Sequence, residues 1–488
     1  MSELNTKIVN ATKWSTITEI IAKLITPITS IVLARLLTPE AFGVVTTLTM
    51  VITFAEIFTD AGFQKYLIQH EFVDETNKEQ CTNVAFWSNL VMSLFIWLVV
   101  GVFADSLATM VGNSGLGHVL TIACVSIPLA AFSSIQMALY KRDLDFKTLF
   151  KVRIVGISIP LLVTMPLAFF LKSYWALVIG TITSNIANAF LLTLYSKWKP
   201  RMYYSFAKLK EMFSFSAWSV VEAVSIWLTG YVDVFFIGVY LNEYYLGLYK
   251  TSMTIVGQIM GLITATTTPI LFSSLSRLQD DYNAFQKLFF KFQKLVGLLV
   301  IPIGVGIFCY SDLVTKILLG NQWLAVSPFI GLWALTSALT IVLSHYSSEV
   351  YRAKGRPKLS VLSQFLHLVI LVPSIYISVQ YGFQTLYIVR AIVRLEGILV
   401  NIIIMYLLIK ISPIEMLKNL LYPSVAAFIM GCNAMLIKDI YSSVIWQIIS
   451  IIICGFLYIF ILLLNKQNRI TIINFISKIF PSTNSHFI

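Results

Sequence analysis

Fourteen apolar stretches constrain this chain more than any other feature of its sequence. An α-helix needs about 20 apolar residues to cross the hydrocarbon core of a bilayer. Backbone groups in lipid must be hydrogen-bonded within their own segment, so these stretches are expected to be helices. They lie at 12–37, 40–63, 83–105, 117–139, 150–171, 173–195, 213–238, 243–273, 289–311, 325–348, 359–380, 383–409, 416–437 and 443–464. We therefore predict an all-α, polytopic membrane protein with about 14 transmembrane helices.

The distribution of charge agrees with this prediction and gives an orientation. Only 12% of the 488 residues are charged, against roughly 25% in soluble domains. The net charge of +12 could indicate nucleic-acid binding, but the basic residues form short runs between apolar stretches rather than one basic face. With a cytoplasmic N-terminus, 27 of the 35 lysines and arginines fall in cytoplasmic segments. Only Lys172, Lys316 and Lys438 fall on the opposite side, as the positive-inside rule requires.

We accordingly expect a multi-pass membrane protein with both termini in the cytoplasm and no nucleic-acid partner. The first fifteen residues hold no short apolar core with a small-residue cleavage site, so no cleaved signal peptide is expected. The five cysteines show no ligand-like spacing, and His345 and His367 stand alone in their spans. We read all of them as packing residues, and we expect no metal, no cofactor and no catalytic residue.

A weak internal repeat at an offset of 204 residues suggests two similar halves. Both copies fall at the start of a helix and at the turn that follows it. The matched pairs are Trp14 and Trp218, Ser15 and Ser219, Leu33 and Ile237, Leu37 and Leu241, and Gly43 and Gly247. Transporters built from repeats bind their substrate between the halves.

The predicted domains follow from the repeat. They are an N-lobe of helices 1–6 at 1–195, a cytoplasmic interfacial linker at 196–212, a C-lobe of helices 7–12 at 213–409, and helices 13 and 14 with a cytoplasmic tail at 410–488. The linker is basic and aromatic, which favours a simple anchoring helix over a lipid-specific role.

Charged side chains inside the first two spans suggest an ion pathway. A charge at the membrane centre costs about 2.5–3.5 kcal/mol, so it should face a wet cavity or a partner. Counted from the turn near residue 38, Lys23 matches Glu56 in depth, and Glu19 matches Asp60. The hairpin thus offers a Lys23–Glu56 or a Lys23–Glu19 pair and leaves further acidic side chains without a basic partner. These groups could be helix–helix contacts or a cation or proton path, in which an unpaired acid carries the proton.

The second hairpin repeats this arrangement. Asp233 and Lys250 flank the turn near 242 at matching depth, and Glu222 lies nearer the cytoplasm. We predict Asp60, Glu19, Glu56, Asp233 and Glu222 as candidates for ion or proton coupling.

The twelfth span carries two arginines on one helical face. Arg390 and Arg394 are spaced i,i+4, with Glu396 on a different face. A guanidinium group matches phosphate oxygens geometrically and stays charged at any pH, so the pair would suit a diphosphate. Structural salt bridges, one of them with Glu396, are the alternative. Lys23, Lys250 and Arg35 complete the predicted set of cationic substrate-binding residues, although Arg35 also suits an interfacial, snorkelling position.

Several stretches resemble the polysaccharide exporter or O-antigen flippase family of the multidrug/oligosaccharidyl-lipid/polysaccharide transporter superfamily. The resemblance covers roughly residues 10–410. The stretches that carry it lie at 33–43, 54–69, 136–153, 233–249, 272–289 and 318–329. It implies two lobes with alternating access, an undecaprenyl-diphosphate-linked oligosaccharide as cargo, and ion-coupled transport in a bacterial inner membrane. A polysaccharide polymerase and a chain-length regulator are the protein partners it implies, and a monomer is favoured.

Three functional classes remain open. The first is a flippase for lipid-linked oligosaccharides. The second is a cation-coupled multidrug antiporter of the same superfamily, which would favour acidic over basic groups in its lumen. The third is a membrane-embedded glycan polymerase, ligase or glycosyltransferase, which usually needs a sizeable loop outside the membrane. Asp143 and Asp145 form a DxD pattern, but in a short basic loop helix capping or loop ion pairing is the favoured interpretation.

Overall fold

Fourteen long apolar helices make up the part of the chain that the structure describes. The computed structural model describes residues 2–60, 62–465 and 469, without the side chains of 2–5 and 214–219. No strand occurs among these residues, and the predicted all-α polytopic fold is confirmed. The helices are α1 (Thr6–Leu36), α2 (Pro39–Asp60), α3 (Glu75–Val102), α4 (Gly117–Arg142), α5 (Phe146–Leu171), α6 (Trp175–Tyr195), α7 (Val220–Tyr240), α8 (Glu243–Ser276), α9 (Tyr282–Cys309), α10 (Asn321–Ala353), α11 (Lys358–Val379), α12 (Phe383–Ile409), α13 (Pro413–Ile437) and α14 (Val444–Leu464). Most of the predicted cytoplasmic tail, including Lys466 and Lys478, lies outside the described residues.

Aspartate caps explain where several helices begin. The Asp74 carboxylate accepts a hydrogen bond from the backbone N–H of Asn77 at 2.6 Å, so α3 begins with two polar turns that hydropathy alone does not detect. Asp145 caps the start of α5 through the N–H of Thr148, and Asp143 lies 3.9 Å from the Lys78 ammonium. The structural interpretation of the DxD pattern is therefore confirmed.

The chain divides into two compact units. Unit 1 comprises Met1–Thr251 and Leu368–Leu386, and unit 2 comprises Ser252–His367 and Tyr387–Ile488. In unit 1, α1 packs against α5, α3 and α6 pack against α4, and α2 packs against α7. In unit 2, α9 packs against α10 and α13, and α13 packs against α14. The predicted division into lobes about a linker at 196–212 stays a prediction.

The predicted linker at 196–212, for which composition favoured an anchoring helix, is helical only from Phe206 onward. Residues 196–205 are not helical, and the helix that continues into α7 begins at Phe206. Pro200 lacks a backbone N–H and pushes the residue before it out of the helical region. The segment is instead fastened to α3, because Trp87 Nε1 donates to the Arg201 carbonyl at 2.9 Å and Arg201 pairs with Glu79 at 2.8 Å.

Two glycines that correspond in the sequence repeat bring the starts of α2 and α8 together in unit 1. A Cβ added to Gly43 would stand 1.8 Å from the Glu243 carbonyl oxygen, and one added to Gly247 would stand 1.8 Å from the Pro39 carbonyl oxygen. Pro39 and Gly43 correspond to Glu243 and Gly247 at the offset of the repeat. Each helix start therefore contacts the other through corresponding residues. We call these four residues the glycine contact. The side chains of Trp218 and Ser219, which the repeat matches with Trp14 and Ser15, lie outside the described residues.

Candidate functional site

Two arginines of α12 lie over one indole ring in unit 2. The guanidinium carbon of Arg394 is 3.9 Å from the centroid of the Trp333 ring, and that of Arg390 is 5.4 Å from it. Arg390 is 5% exposed, whereas Arg394 is half-buried and donates from Nη1 to the Ser337 hydroxyl at 2.7 Å. The i,i+4 spacing in the sequence thus places both permanent charges on one aromatic surface, which attracts cations through its ring quadrupole.

A second polar contact joins the same two helices one heptad further along. Asn401 Nδ2 donates to the Ser344 hydroxyl at 2.9 Å, and the Tyr351 hydroxyl donates to Asn401 Oδ1 at 3.0 Å. Seven residues separate Ser337 from Ser344, and seven separate Arg394 from Asn401. On the uninterrupted part of α12 a heptad returns to nearly the same helical face, so Arg394 and Asn401 contact α10 along one line. We call Trp333, Ser337, Ser344, Arg390, Arg394 and Asn401 the polar seam.

A π-helical turn interrupts α10 beside the polar seam. It runs from Ile341 to His345, and Gln293 Nε2 of α9 donates to the Val342 carbonyl at 3.2 Å. The His345 ring is exposed and its Nε2 lies 3.4 Å from the Thr268 hydroxyl. Such turns occur frequently at functional sites, because they leave backbone groups outside the regular helical ladder.

A histidine–glutamate pair lies at the middle of two spans, close in sequence to the arginines. His367 Nδ1 is 2.9 Å from Glu396 Oε2, and the two side chains are 16% and 19% exposed. Gly397 leaves room for the imidazole, since a Cβ there would be 3.3 Å from His367 Nδ1. The interpretation of His367 as a packing residue is therefore wrong. The Glu396 carboxylate, for which a salt bridge with an arginine was the alternative, pairs with His367.

Glu56 and Asp60 stand one turn apart on α2 in unit 1. Both side chains are half-buried, and Asp60 Oδ1 is buried without a hydrogen-bond partner among the described residues. Spacing i,i+4 places the two acids on one face of the helix. Among the predicted coupling acids, Asp60 therefore has a buried carboxylate oxygen that no described residue hydrogen-bonds.

The ion pairs predicted for Lys23 are not formed. Lys23 is half-buried, Glu19 is exposed, and in the described ranges no carboxylate lies within 4.0 Å of the Lys23 ammonium. The reason is that α1 packs against α5 rather than against α2, so equal depth in the first hairpin does not bring Glu56 close. Arg35 is exposed at the end of α1.

The acids and the lysine of the second hairpin have separate surroundings. Asp233 is 1% exposed and accepts the Tyr249 hydroxyl at 2.7 Å. The Lys250 ammonium lies 4.5 Å from the centroid of the Tyr231 ring and donates to a backbone carbonyl of α7. Glu222 forms an exposed ion pair with Lys65 at 3.1 Å. Both acids thus have partners suited to structural roles.

Sequence reasoning missed the groups that complete the site in unit 2. Trp333, Ser337 and Asn401 were not singled out, although Trp333 and Ser337 share the i,i+4 spacing of the two arginines. Lys23, Arg35 and Lys250 belong to unit 1, and the arginine pair belongs to unit 2. Four of the five free cysteines are buried as expected, whereas Cys432 is exposed.

Comparisons with known proteins agree with the sequence resemblance. The chain is 23% identical over 437 residues to the teichuronic acid biosynthesis protein TuaB of Bacillus subtilis, with 89% of each chain covered. It is 21% identical over 379 residues to the lipopolysaccharide biosynthesis protein WzxC of Escherichia coli, covering 77% of this chain and 76% of that protein. Among solved structures, the lipid II flippase MurJ in an inward closed conformation superposes with a TM-score of 0.75 at 15% identity, covering 93% of this chain and 99% of MurJ.

The family itself is shown by a family model described as "Polysaccharide biosynthesis protein", which matches residues 32–328, more than half of the chain. The fold is that of MurJ, and the fourteen apolar helices make this a multi-pass membrane protein. This chain belongs to the polysaccharide biosynthesis protein family.

Proposed function

We propose that this protein is a flippase that carries a lipid-linked oligosaccharide across the membrane, with the diphosphate of the cargo held by Arg390 and Arg394. The observation that carries the proposal is the placement of both guanidinium groups over Trp333, with Arg394 oriented by Ser337. Two positive charges within a membrane span are costly unless they meet an anion or water. A diphosphate supplies that anion, and each planar guanidinium group can donate two parallel N–H hydrogen bonds to its phosphate oxygens.

The rest of the polar seam suits the sugar that follows the diphosphate. Ser344 and Asn401 bear a hydroxyl and an amide in line with the arginines, and His345 and Thr268 provide further polar groups beyond them. Hydroxyl-rich sugars need such donors and acceptors, while the lipid chain remains in the bilayer. We therefore expect diphosphate and glycan to lie along α10 in that order.

The names of the relatives support this proposal over the other classes. TuaB and WzxC are named for the biosynthesis of cell-surface polymers, and MurJ is named as a lipid II flippase. A cation-exporting protein would be expected to place acids where this chain has two arginines. We further propose an undecaprenyl diphosphate carrier and a bacterial inner membrane, which the family resemblance implies, and cytoplasmic termini, which the basic loops favour.

The test is transport of a polyprenyl-diphosphate-linked oligosaccharide in proteoliposomes. Replacing both arginines, Arg390→Ala with Arg394→Ala, should reduce the rate of translocation by at least about 100-fold, because each charge-assisted hydrogen bond contributes about 1.5–3 kcal/mol. The single substitution Arg394→Lys keeps the charge but removes the planar fork. We expect it to reduce the rate to a smaller extent and to leave the protein folded.

Arg277→Ala is the matched control, because Arg277 is an exposed arginine of unit 2 after the end of α8. Membrane insertion and thermal stability are measured for each variant, so a loss of fold is separated from a loss of transport. A double alanine variant that is folded and transports at the normal rate would refute the proposed role of the arginines.

We propose that transport is coupled to an ion gradient through Asp60, with Glu56 beside it. The buried, unpartnered Oδ1 of Asp60 supports this choice over Glu222, which is exposed and paired with Lys65. Asp60→Asn cannot carry a proton, so transport by this variant should lose its dependence on an imposed pH gradient, whereas Glu222→Gln should keep it. An unchanged response in Asp60→Asn would remove this residue from the coupling path.

A further inference from the structure

We propose that unit 1 binds an anionic phospholipid in a groove between α4 and α6, on the side of the protein that carries the basic loops. The site is separate from the polar seam and from the cargo, and it has an apolar part for an acyl chain and a basic mouth for a phosphate headgroup.

The groove is an apolar cavity of about 560 Å³ that opens to the outside of the helix bundle. Leu129 and Phe132 of α4 form one wall, and Ile186, Phe190 and Leu194 of α6 form the other. The side chains of Ile186, Phe190 and Leu194 are 51%, 64% and 58% exposed. The helices α4 and α6 pack against each other, and we infer that the exposed apolar groove between them faces lipid, because apolar side chains exposed on membrane spans suit the hydrocarbon core.

The length of the groove matches one leaflet. Ile186 and Leu194 are eight residues apart on α6, which corresponds to about 12 Å along a helix. Half of the hydrocarbon core is about 15 Å thick. An acyl chain of a single leaflet therefore fits, whereas a much longer polyprenyl chain would extend beyond the end of the groove. The polar lining residues, Thr193 and Lys199, lie only at the end next to the basic loops.

Lys199 lines the mouth of the groove, and Lys151 lies on the neighbouring helix α5, which packs against α6. The Lys199 ammonium donates to the Thr193 carbonyl, and the Lys151 ammonium lies 5.7 Å from the centroid of the Tyr195 ring. Both lysines are exposed, and within the described ranges neither has a carboxylate within 4.0 Å. Basic sites between helices on the cytoplasmic side attract anionic lipids, and aromatic residues such as Tyr195 mark the level of the headgroups.

The chemistry of the mouth selects one class of lipid. A zwitterionic lipid brings an ammonium group as well as a phosphate, and the two lysines offer that cation no acidic partner. An anionic headgroup such as phosphatidylglycerol brings only the phosphate charge. The occupant is therefore an anionic diacyl phospholipid, held by Lys151 and Lys199 while one acyl chain lies along Phe190.

The test is native mass spectrometry of the full-length protein in detergent, titrated with dioleoyl phosphatidylglycerol and, separately, with dioleoyl phosphatidylcholine. The double variant Lys151→Gln with Lys199→Gln should bind phosphatidylglycerol about 30-fold more weakly, from the contribution of each lysine near a charged headgroup. Its binding of phosphatidylcholine should not change. The matched control, Lys287→Gln with Lys291→Gln, removes the same charge from exposed positions on α9 in unit 2.

Each outcome decides the proposal. Selective weakening in the Lys151 and Lys199 variant alone supports it. Equal affinity of the unaltered protein for the two lipids, or equal weakening in both double variants, overturns it, because the binding would then depend only on overall charge. Glycerol phosphate without acyl chains is the final probe, and displacement of the lipid by glycerol phosphate at equal concentration would overturn the role of the groove.

Discussion

The glycine contact yields a prediction about conformational change. Gly43 and Gly247 let the starts of α2 and α8 approach until backbone meets backbone, at the end of unit 1 away from the basic loops. If this junction closes that end during transport, a single methyl group on either glycine should hold it open. Gly43→Ala and Gly247→Ala should therefore favour a conformation in which this end is accessible to water.

The magnitude follows from the geometry. The added Cβ would lie 1.8 Å from a carbonyl oxygen at either position, whereas ordinary contact begins at 3.4 Å. The two backbones must separate by roughly 1.5 Å to restore contact distance, and such overpacking costs about 1–3 kcal/mol. The ratio of open to closed protein should rise by between about 5-fold and 150-fold.

The assay is labelling of a cysteine by a membrane-impermeant maleimide. Val111 is suitable because it is 4% exposed and its carbonyl lies against Gly238 near the same end of α7. Val111→Cys is introduced into a protein whose five native cysteines are replaced by serine. Labelling should be slow with Gly43 present and faster by the stated factor in Gly43→Ala.

The control is Gly257→Ala on α8, where no heavy atom lies within 4 Å of an added Cβ. A helical glycine in open space tolerates alanine and is commonly stabilised by it, so labelling should not change. Unchanged labelling in both Gly43→Ala and Gly247→Ala would refute the inference that this contact governs access.

Two further predictions concern contacts in unit 2. Glu396→Gln should lower the stability of the detergent-solubilised protein by about 1–3 kcal/mol, because it removes the charge from a partly buried pair with His367, and a thermal-shift assay that shows no loss would contradict this. Tyr458→Phe removes the hydrogen bond from its buried hydroxyl to the Leu298 carbonyl at 2.9 Å and should lower stability by about 1 kcal/mol, with an unchanged melting temperature as the contrary result.

The positions of the helices could be predicted from sequence because lipid imposes a length and a polarity on each span. The ends of α5, α6, α12, α13 and α14 fall at the predicted residues. The starts are less accurate where a cap adds polar turns. With Asp74 as its N-cap, α3 begins at Glu75 rather than at the predicted residue 83. With Asp281 as its N-cap, α9 begins at Tyr282 rather than at 289, because the Asp281 carboxylate accepts a hydrogen bond from the N–H of Ala284.

Contacts between spans were predictable only where they depend on spacing within one helix. Arg390 and Arg394 share a face because i,i+4 residues always do, and the structure brings them together. To predict whether Lys23 pairs with Glu56, one must know which helices are neighbours. The hydropathy pattern does not give this information. The same holds for His367 and Glu396, which lie 29 residues apart and meet across two helices.

The π-helical turn of α10 has a consequence for how this helix tolerates insertions and deletions. A turn closed by i→i+5 hydrogen bonds holds one residue more than an α-helical turn. Loss of a single residue between Ile341 and His345 would restore a regular helix, and the residues on either side would keep their directions because the π-helical turn absorbs the extra residue. Ser337 would still meet Arg394, and Tyr351 would still reach Asn401. Loss of a residue elsewhere in α10 would instead rotate everything after it by about 100°.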